Sequence, residues 1–238
     1  MKFPDPLLRG RLVRRYKRFL SDVELDGGEL VTAHCANPGS MIGLTEPGSE
    51  VWLSPARNPA RKLRYSWEMI RIGEGLVGIN TSHPNGIVAD AIAAGRVAEL
   101  TGYGALRREV KYGKNSRIDM LLEADGRPPC YVEVKNVHLK RDGGAEFPDS
   151  VTARGAKHLV ELSDMVAAGA RAVMFYLVQR EDCDDFAIAG DIDPHYATTL
   201  DAALAAGVEA ICYCCKLTTE AIELDRPIAL ELNAGGAG

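Results

Sequence analysis

No stretch of this sequence approaches the ~20 consecutive apolar residues with which a helix crosses a bilayer, so no membrane partner is expected. The opening "MKFPDPLLRG" has no apolar core of a secretion signal, and its prolines suit an extended lead-in; the expectation is a cytoplasmic protein. There is no G-x-x-x-x-G-K-[ST] loop and no dinucleotide fingerprint, which leaves nucleotide chemistry without a basis. Cysteine is scarce, six in 238 residues, and never occurs as matched C-x₂-C pairs. "CYCC" (212–215) sits in one apolar run without a second ligand pair, so buried reduced thiols are expected rather than zinc. His34–Cys35 is likewise isolated, with no identifiable base or oxyanion partner for a thiol protease. Aromatic residues are only 6% and build no sugar-binding platform. No internal repeat is visible.

What is present is an ordinary globular composition, 46% apolar and 26% charged, long enough for one large domain or two small ones. The net charge of −5 taken whole argues against a nucleic-acid partner, but the distribution says more. Residues 1–80 carry 12 Lys/Arg and 9 Asp/Glu; residues 81–238 carry 16 and 24. A basic first part precedes an acidic second part.

The first part reads as short strands cut by turn chemistry such as "DGGE", "NPGS", "EPGS" and "RNPAR". Five strands, the first running through "GRLVRRYKRFLSDVEL", predict a small OB-like barrel over residues 1–82. "NTSHPNG" (80–86) marks the boundary. Beyond it, "IVADAIAAGRVAEL" is helical, and "ALRREVKYG", "RIDMLLE" and "CYVEVKNV" are strands. "SVTARGAKHLVELSDMVAAG" is a helix with Val151, Leu159, Leu162 and Val166 near one face. "RAVMFYLVQ" is a strand buried on both sides; a further helix (193–207) and a buried strand (208–218) follow. The order α-β-β-β-α-β-α-β predicts a mixed sheet flanked by helices over residues 83–238, with the tail "NAGGAG" frayed. The fold class is thus α/β plus all-β.

Within that sheet, "SRIDMLLEADGRPPCYVEVKN" (116–136) carries charges inside apolar strands. Alternation places Cys130, Val132 and Val134 on one face and Tyr131, Glu133 and Lys135 on the other. On the first strand Ile118, Met120 and Leu122 oppose Asp119 and Leu121. A hairpin centred on Gly126 pairs Leu121 with Tyr131 and Asp119 with Glu133, their Cβ atoms ~4.5–5.5 Å apart. Opposed carboxylates destabilise a sheet unless they share a proton or a cation. Lys135 supplies one charge; Mg²⁺ or Mn²⁺ would supply more and could act on a phosphodiester. A solvated hairpin face shows the same alternation, and alternation alone does not separate the two readings. A second Glu-Val-Lys (109–111) has no Asp on a strand paired before it.

Two other segments are candidates for polynucleotide contact. "RGRLVRRYKRF" (9–19) holds six basic residues and no acidic one. As one strand it would show Arg15, Lys17 and Phe19 on one face and Arg14, Tyr16 and Arg18 on the other, suited to phosphates and base stacking; a charge-guarded edge strand would look the same. Arg61, Lys62 and Arg64 extend the patch. The segment "LKRDGGAEFPDSVTARGAKHL" (139–159), glycine-bearing, reads as a flexible lip over the hairpin end. Arg154, Lys157 and His158 lie on adjoining helical turns within reach of a phosphate, unless they are ordinary surface residues. Gln179 and Arg180 end a buried strand beside the site or merely cap it.

"RYKRFLSDVEL", "HCANPGSM", "NPARKLRYSWE", "EVKYGKNSRIDMLL", "CYVEVKNVHL", "FPDSVTARGAKHLVEL" and "IDPHYATTLDAALAAGVEA" together resemble the sugar fermentation stimulation protein A (SfsA) family, in order and over nearly the whole chain. Where that family reads His-Cys-Pro-Asn-Thr-Gly-Ser-Met, Ala36 and Pro38 replace the Pro and the Thr. The resemblance implies an N-terminal OB-like domain, a C-terminal PD-(D/E)xK nuclease-like domain, non-specific DNA binding and a regulatory link to sugar metabolism. The nuclease motif maps onto Asp119, Glu133 and Lys135, with the carbonyl of Val134 as a further metal ligand. A helix before the meander can add an acid, for which Asp90 is the candidate and Glu99 the second. A non-catalytic, DNA-binding transcriptional regulator of sugar metabolism is the alternative, since a fold does not establish an activity.

Overall fold

The computed structural model describes residues 1–113 and 116–231; the tail expected to fray lies outside them. Turn residues cut the first part into six strands: β1 (Leu8–Tyr16), β2 (Leu20–Leu25), β3 (Leu30–Cys35), β4 (Glu50–Pro55), β5 (Tyr65–Ile72) and β6 (Gly75–Gly78). Period-two alternation turns Leu12, Val23, Ala33, Cys35, Val51 and Leu53 inward with Trp67 and Ile70, and these form the barrel core. Antiparallel pairing joins β3 to β2, β2 to β1, β1 to β4 and β4 to β5. A parallel pairing of Ala33–Cys35 with Tyr65–Trp67 then closes five strands as an OB barrel. Gly10 makes the closure possible, because a Cβ there would stand 2.6 Å from the Glu24 carbonyl oxygen.

The basic segment differs from the expected single strand. Tyr16 pairs with Leu20, and the chain reverses through Lys17–Phe19 with Lys17 and Arg18 at φ +47° and +68°. Local hydrophobicity gave no break at this place. The reversal is imposed by the barrel, whose core claims Leu12 from one arm and Val23 from the other.

The second part begins with α1 (Pro84–Ala93), with proline in its first turn as helix starts prefer, and a 3₁₀ turn at Ala98–Leu100. The helix expected over 87–100 stops early because Gly95, at φ +69°, returns its N–H to the Ile92 carbonyl. The meander follows as β7 (Ala105–Tyr112), β8 (Ser116–Glu123) and β9 (Cys130–Val137). Next come β10 (Leu139–Arg141), β11 (Gly144–Phe147), α2 (Ala153–Ala167), β12 (Arg171–Val178), β13 (Asp185–Ile188), α3 (Pro194–Ala205), β14 (Glu209–Leu217), β15 (Ile222–Pro227) and β16 (Ala229–Glu231).

The main sheet has the order β15-β14-β12-β9-β8-β7, with β12 parallel to both neighbours and the other pairings antiparallel. This is the mixed sheet flanked by helices that the element order predicts. On β12, Val173, Phe175 and Leu177 pack toward Ile87, Val88 and Ala91 of α1. Ala172, Met174, Tyr176 and Val178 pack toward α2 and α3. Burial on both faces explains the unbroken apolar run.

The order β10-β11-β13-β16 forms a second, four-stranded sheet. Its strands of three or four residues are too short for a periodic signal, so the sequence did not predict it. The lip expected over 139–159 is instead a paired hairpin, pinned by Arg141 to Glu146 and Asp191, followed by the start of α2. Val151 precedes α2 and is exposed, whereas Leu159 and Leu162 are buried as expected. Thr152 caps α2, accepting from Gly155 N at 3.1 Å, and Asp193 caps α3 while also accepting from Thr152 N at 2.7 Å.

Barrel and sheet share contacts. Trp52, Met69 and Leu76 join the α1-side core, and Gly78 N donates to the Gln179 carbonyl at 2.8 Å. Buried Glu68 on β5 accepts from Ser54 Oγ (2.5 Å), Asn80 Nδ2 (2.8 Å) and His83 Nε2 (2.6 Å), which ties the linker to the barrel just before α1 begins. Met1–Phe3 run beside Glu220–Ile222, so the chain start lies on the second part. All six cysteines are free and buried. Among the described residues, no helix is long and apolar enough to cross a membrane.

Candidate functional site

The β8–β9 hairpin has the expected register over three pairs, Leu122–Cys130, Leu121–Tyr131 and Met120–Val132. There the ladder stops. Asp119 and Glu133 are not a ladder pair; Asp119 Oδ2 instead accepts from Val134 N at 2.8 Å, taking the place of a backbone carbonyl. The strict alternation expected for β8 also breaks here: Met120 and Leu122 belong to the α1-side core, but Ile118 joins Leu121 on the α2 side. Glu109, across from this point on β7, has φ +54°. The strands diverge where the acids sit, which relieves the opposed-charge conflict that a continuous ladder would impose.

Three elements build the site around that divergence. From α1, Asn85 Nδ2 donates to Asp119 Oδ1 at 2.6 Å. From β9, Lys135 Nζ donates to Glu133 Oε1 at 2.6 Å. From α2, His158 Nδ1 also bonds Glu133 Oε1, and Arg154 Nε approaches His158 Nε2 at 3.3 Å. A guanidinium only donates, so His158 Nε2 accepts, the ring's proton lies on Nδ1, and it goes to Glu133.

The two acids are held in different states. Burial pushes Glu133 up, but the Lys135 charge and the His158 hydrogen bond outweigh it, and its carboxyl ends below the usual range. Asp119 is pushed up to about 6, by burial first and by the Glu133 charge second. The Tyr112 hydroxyl is raised by burial and then by Glu133, Glu161 and Asp119, so three carboxylates act on it. Glu133 Oε2 is buried and, among the described residues, has no hydrogen-bond partner. An unpaired buried carboxylate oxygen beside a second carboxylate that resists ionising is a site short of positive charge. This donor set fits a hard divalent ion that keeps several of its waters. Among the described residues, no cluster of three or more His, Cys, Asp or Glu side chains with ligating geometry is present. Any such ion would therefore rest on two carboxylates and backbone oxygen.

Asp90 is exposed on α1, and Asn85 is the α1 residue that reaches Asp119. Glu99 accepts from Tyr213 Oη at 2.8 Å instead. Arg154 contacts the site through His158, whereas Lys157 bonds Ser116 Oγ at 3.1 Å.

In the barrel, Arg14 bonds Asp22 at 2.8 Å and lies 4.7 Å from the Tyr16 ring, whose hydroxyl donates to the same Asp22. Arg15 turns inward, donating to the carbonyls of Arg18, Asn37 and Gly39 at 2.9–3.0 Å. Lys17 and Arg18 are exposed at the hairpin tip, and Arg18 Nε donates to the Pro38 carbonyl at 3.0 Å. Arg61, Lys62 and Arg64 are exposed on the approach to β5.

Sequence reasoning missed the residues that join barrel and site. Asp149 accepts from Met41 N at 3.0 Å, and Ser40 Oγ bonds the Asp149 carbonyl. A Cβ at Gly39 would run into the Asp149 carboxylate. His138 Nε2 meets Asp149 Oδ2 at 3.2 Å, Asn136 Nδ2 meets His138 Nδ1 at 3.1 Å, and Gln179 Nε2 donates to Asn136 at 2.7 Å. Burial opposes the Asp149 anion, but its partners, His138 foremost, hold its pKa down at about 2. Only the density of polar residues in "KNVH" and "FPDS" hinted at this chain; the barrel partners of Asp149 are 108 and 109 residues away. Beside it opens a cleft of about 310 Å³, with Arg18, Asn37 and Thr81 on one side and Lys135, Asn136 and Val151 on the other.

Residues 82–221 match the sugar fermentation stimulation protein RE domain, and residues 13–79 match the SfsA N-terminal OB domain. The chain is 63% identical over 232 residues to the sugar fermentation stimulation protein homolog of Paramagnetospirillum magneticum, covering 98% of each. It is 62% identical to that of Rhodospirillum centenum, covering 97% of this chain and 99% of the relative. Among solved structures, Pyrococcus furiosus SfsA in complex with Ca²⁺ superposes with a TM-score of 0.88 at 26% identity, covering 97% of this chain and 98% of that one.

Proposed function

The chain belongs to the sugar fermentation stimulation protein family, and we propose that it is a cytoplasmic DNA-binding protein whose second domain hydrolyses phosphodiesters with a divalent metal. The division runs at 82/83, the barrel supplying affinity and residues 83–238 the chemistry. The carrying observation is the buried, unpartnered Glu133 Oε2 beside an Asp119 that burial and its neighbour hold near pH 6. The Ca²⁺ in the complex with Pyrococcus furiosus SfsA supports a hard-cation site in such a fold. Six free thiols suit a reducing compartment.

Asp119, Glu133 and the Val134 carbonyl would hold Mg²⁺ or Mn²⁺. When bound, the ion supplies a water acidic enough to attack and neutralises charge on the phosphate. The chain's own groups do the rest. Lys135, fixed by Glu133, orients the attacking water and donates to the phosphate oxygens as charge builds. His158 and Arg154 keep Glu133 Oε1 occupied, so Oε2 stays directed away from them. Asn85 and Val134 N hold the Asp119 carboxylate in one orientation. At the barrel, Lys17 and Arg18 are the tip charges for DNA phosphates, which makes binding non-specific and salt-sensitive.

The test incubates plasmid and single-stranded DNA with the protein in Mg²⁺, Mn²⁺ or EDTA. Cleavage that needs the metal and disappears in Asp119→Ala and Lys135→Ala, with DNA binding kept, supports the reading. Cleavage unchanged in both variants exposes a contaminant. Binding without cleavage in any metal leaves a DNA-binding regulator.

A further inference from the structure

We propose that the substrate form this site accepts is single-stranded DNA, laid across the cleft between barrel and sheet with unstacked bases against Phe19 and Val151. The inference rests on reading the site as one for phosphodiesters, and it adds the form of the strand.

The cleft has fixed walls. The barrel loop Asn37–Met41 is held to Asp149 by Met41 N and Ser40 Oγ, and Asn37 Nδ2 donates to the Ile79 carbonyl at 3.0 Å. Gly39 meets the Asp149 carboxylate so closely that no side chain fits between them. Opening the cleft to straddle a duplex would break the Met41 and Ser40 bonds to Asp149. At about 310 Å³ the space takes a nucleotide-sized group, the low end of ligand clefts.

The lips are apolar where a duplex would offer only phosphates. Phe19, beside the cleft-lining Arg18, is 43% exposed, and Val151, which lines the other side, is 74% exposed. The Phe19 ring lies nearly parallel to His34, 20° between planes with centroids 6.4 Å apart, and the Arg18 guanidinium is 6.0 Å from it. This makes a layered, partly exposed ring-and-cation surface. Base faces are hidden inside a duplex stack and available only in single strands, where each aromatic contact adds affinity whatever the base. Between the lips, Arg18 and Lys135 both line the cleft and supply the charge a sugar-phosphate chain needs. The tip itself is built for side chains. Lys17 and Arg18 both occupy left-handed backbone, where glycine would be the unstrained choice.

The experiment measures fluorescence anisotropy of a labelled 20-nucleotide oligo-dT and of a blunt duplex of equal length. The full-length Asp119→Ala protein is used, in EDTA and low salt, so that binding is read without cleavage. The single strand is expected to bind at least about ten-fold tighter. Phe19→Ala should weaken the single strand about ten-fold, the size of one stacking contact, and the duplex less than two-fold, while Phe19→Trp keeps tight binding. Val151→Asp should weaken the single strand by repelling it. Equal or tighter duplex binding, or a single strand indifferent to both Phe19→Ala and Val151→Asp, overturns the proposal. Because no metal is present, a protein that never cleaves still answers this question. A wild type that cleaves duplex and single strand equally would remove the single-strand assignment and leave the hydrolytic reading standing.

Discussion

Two hairpins carry the charges of this protein, and they treat them in opposite ways. In β1–β2 most of the charged groups stand at the surface and are consumed by the protein itself: Arg14 by Asp22, and half-buried Arg15 by three backbone carbonyls, although its Nε has no partner among the described residues. In β8–β9 Glu133 is buried and Asp119 and Lys135 are half-buried, and one carboxylate oxygen of Glu133 is left without a partner among the described residues. Exposure allows a charge to be spent on folding at little cost. Burial makes an unspent charge expensive, so one that persists signals a ligand. A basic run is thus weaker evidence for a site than a single buried acid.

Several measurements would break or sharpen that contrast. In the buried hairpin, Lys135→Ala should lower metal-dependent cleavage about 10²–10³-fold and change DNA retention little; a variant with near wild-type turnover would remove Lys135 from the chemistry. In the exposed hairpin, the arginines should divide by partner. Arg15→Ala should cost about 2–3 kcal/mol in urea unfolding, because it strips a charged donor from several carbonyls, whereas Lys17→Ala should stay within about 0.5 kcal/mol. If both are neutral, Arg15 is not a brace.

His158→Ala should weaken Mn²⁺ binding about 10–100-fold by calorimetry, the usual effect of losing a group that orients a metal ligand. His158→Asn, which can place an N–H near the Nδ1 position, should recover much of that. Equal losses in the two variants would assign His158 to packing alone.

The Asp119 carboxyl gives a test with a definite sign. Its pKa of about 6 lies above the ordinary 3.8, so the folded protein holds that proton between about pH 4 and 6 while the unfolded chain releases it. Metal-free stability therefore falls as pH rises through that window. Asp119→Asn in EDTA should be more stable than wild type by about 1–2 kcal/mol at pH 7, with the gap closing by pH 4; a less stable variant at pH 7 contradicts the assignment. The smallest effect belongs to the hairpin tip. Lys17→Ala with Arg18→Ala should reduce the slope of log affinity against log salt by about 1.4 for a single strand, two phosphates' worth. Replacing Arg14, Arg15, Lys17 and Arg18 together should abolish retention on DNA, but Arg15 mixes folding with binding in that variant.

The elements with strong periodicity were legible: β12, α2, α3 and the β8–β9 pair, whose register over Leu121–Tyr131 follows from the turn at Gly126. The barrel class was legible from turn spacing, but the reversal at Lys17–Phe19 was not, since no glycine or proline marks it. The four-stranded second sheet was invisible because its strands are too short to show a period. At the site, Asp119, Glu133 and Lys135 stood out as charges in apolar strands. Asn85 did not, because an asparagine at a helix start has a commoner role as a cap. Asp90 attracted attention as an acid on α1, yet it lies on the exposed face.

Local order in the chain determined which segments alternate, which are apolar throughout and which must turn, and with them the two-part architecture and the acids in the hairpin. Those properties depend on neighbours a few residues away, and the amino-acid order contains them. Only the tertiary structure decided that the ladder opens at Asp119, that His158 and Arg154 secure Glu133, and that Asp149 holds the barrel loop beside Lys135. These depend on how barrel, helices and sheet pack, through contacts between residues as much as 109 positions apart, and no local pattern encodes such a distance.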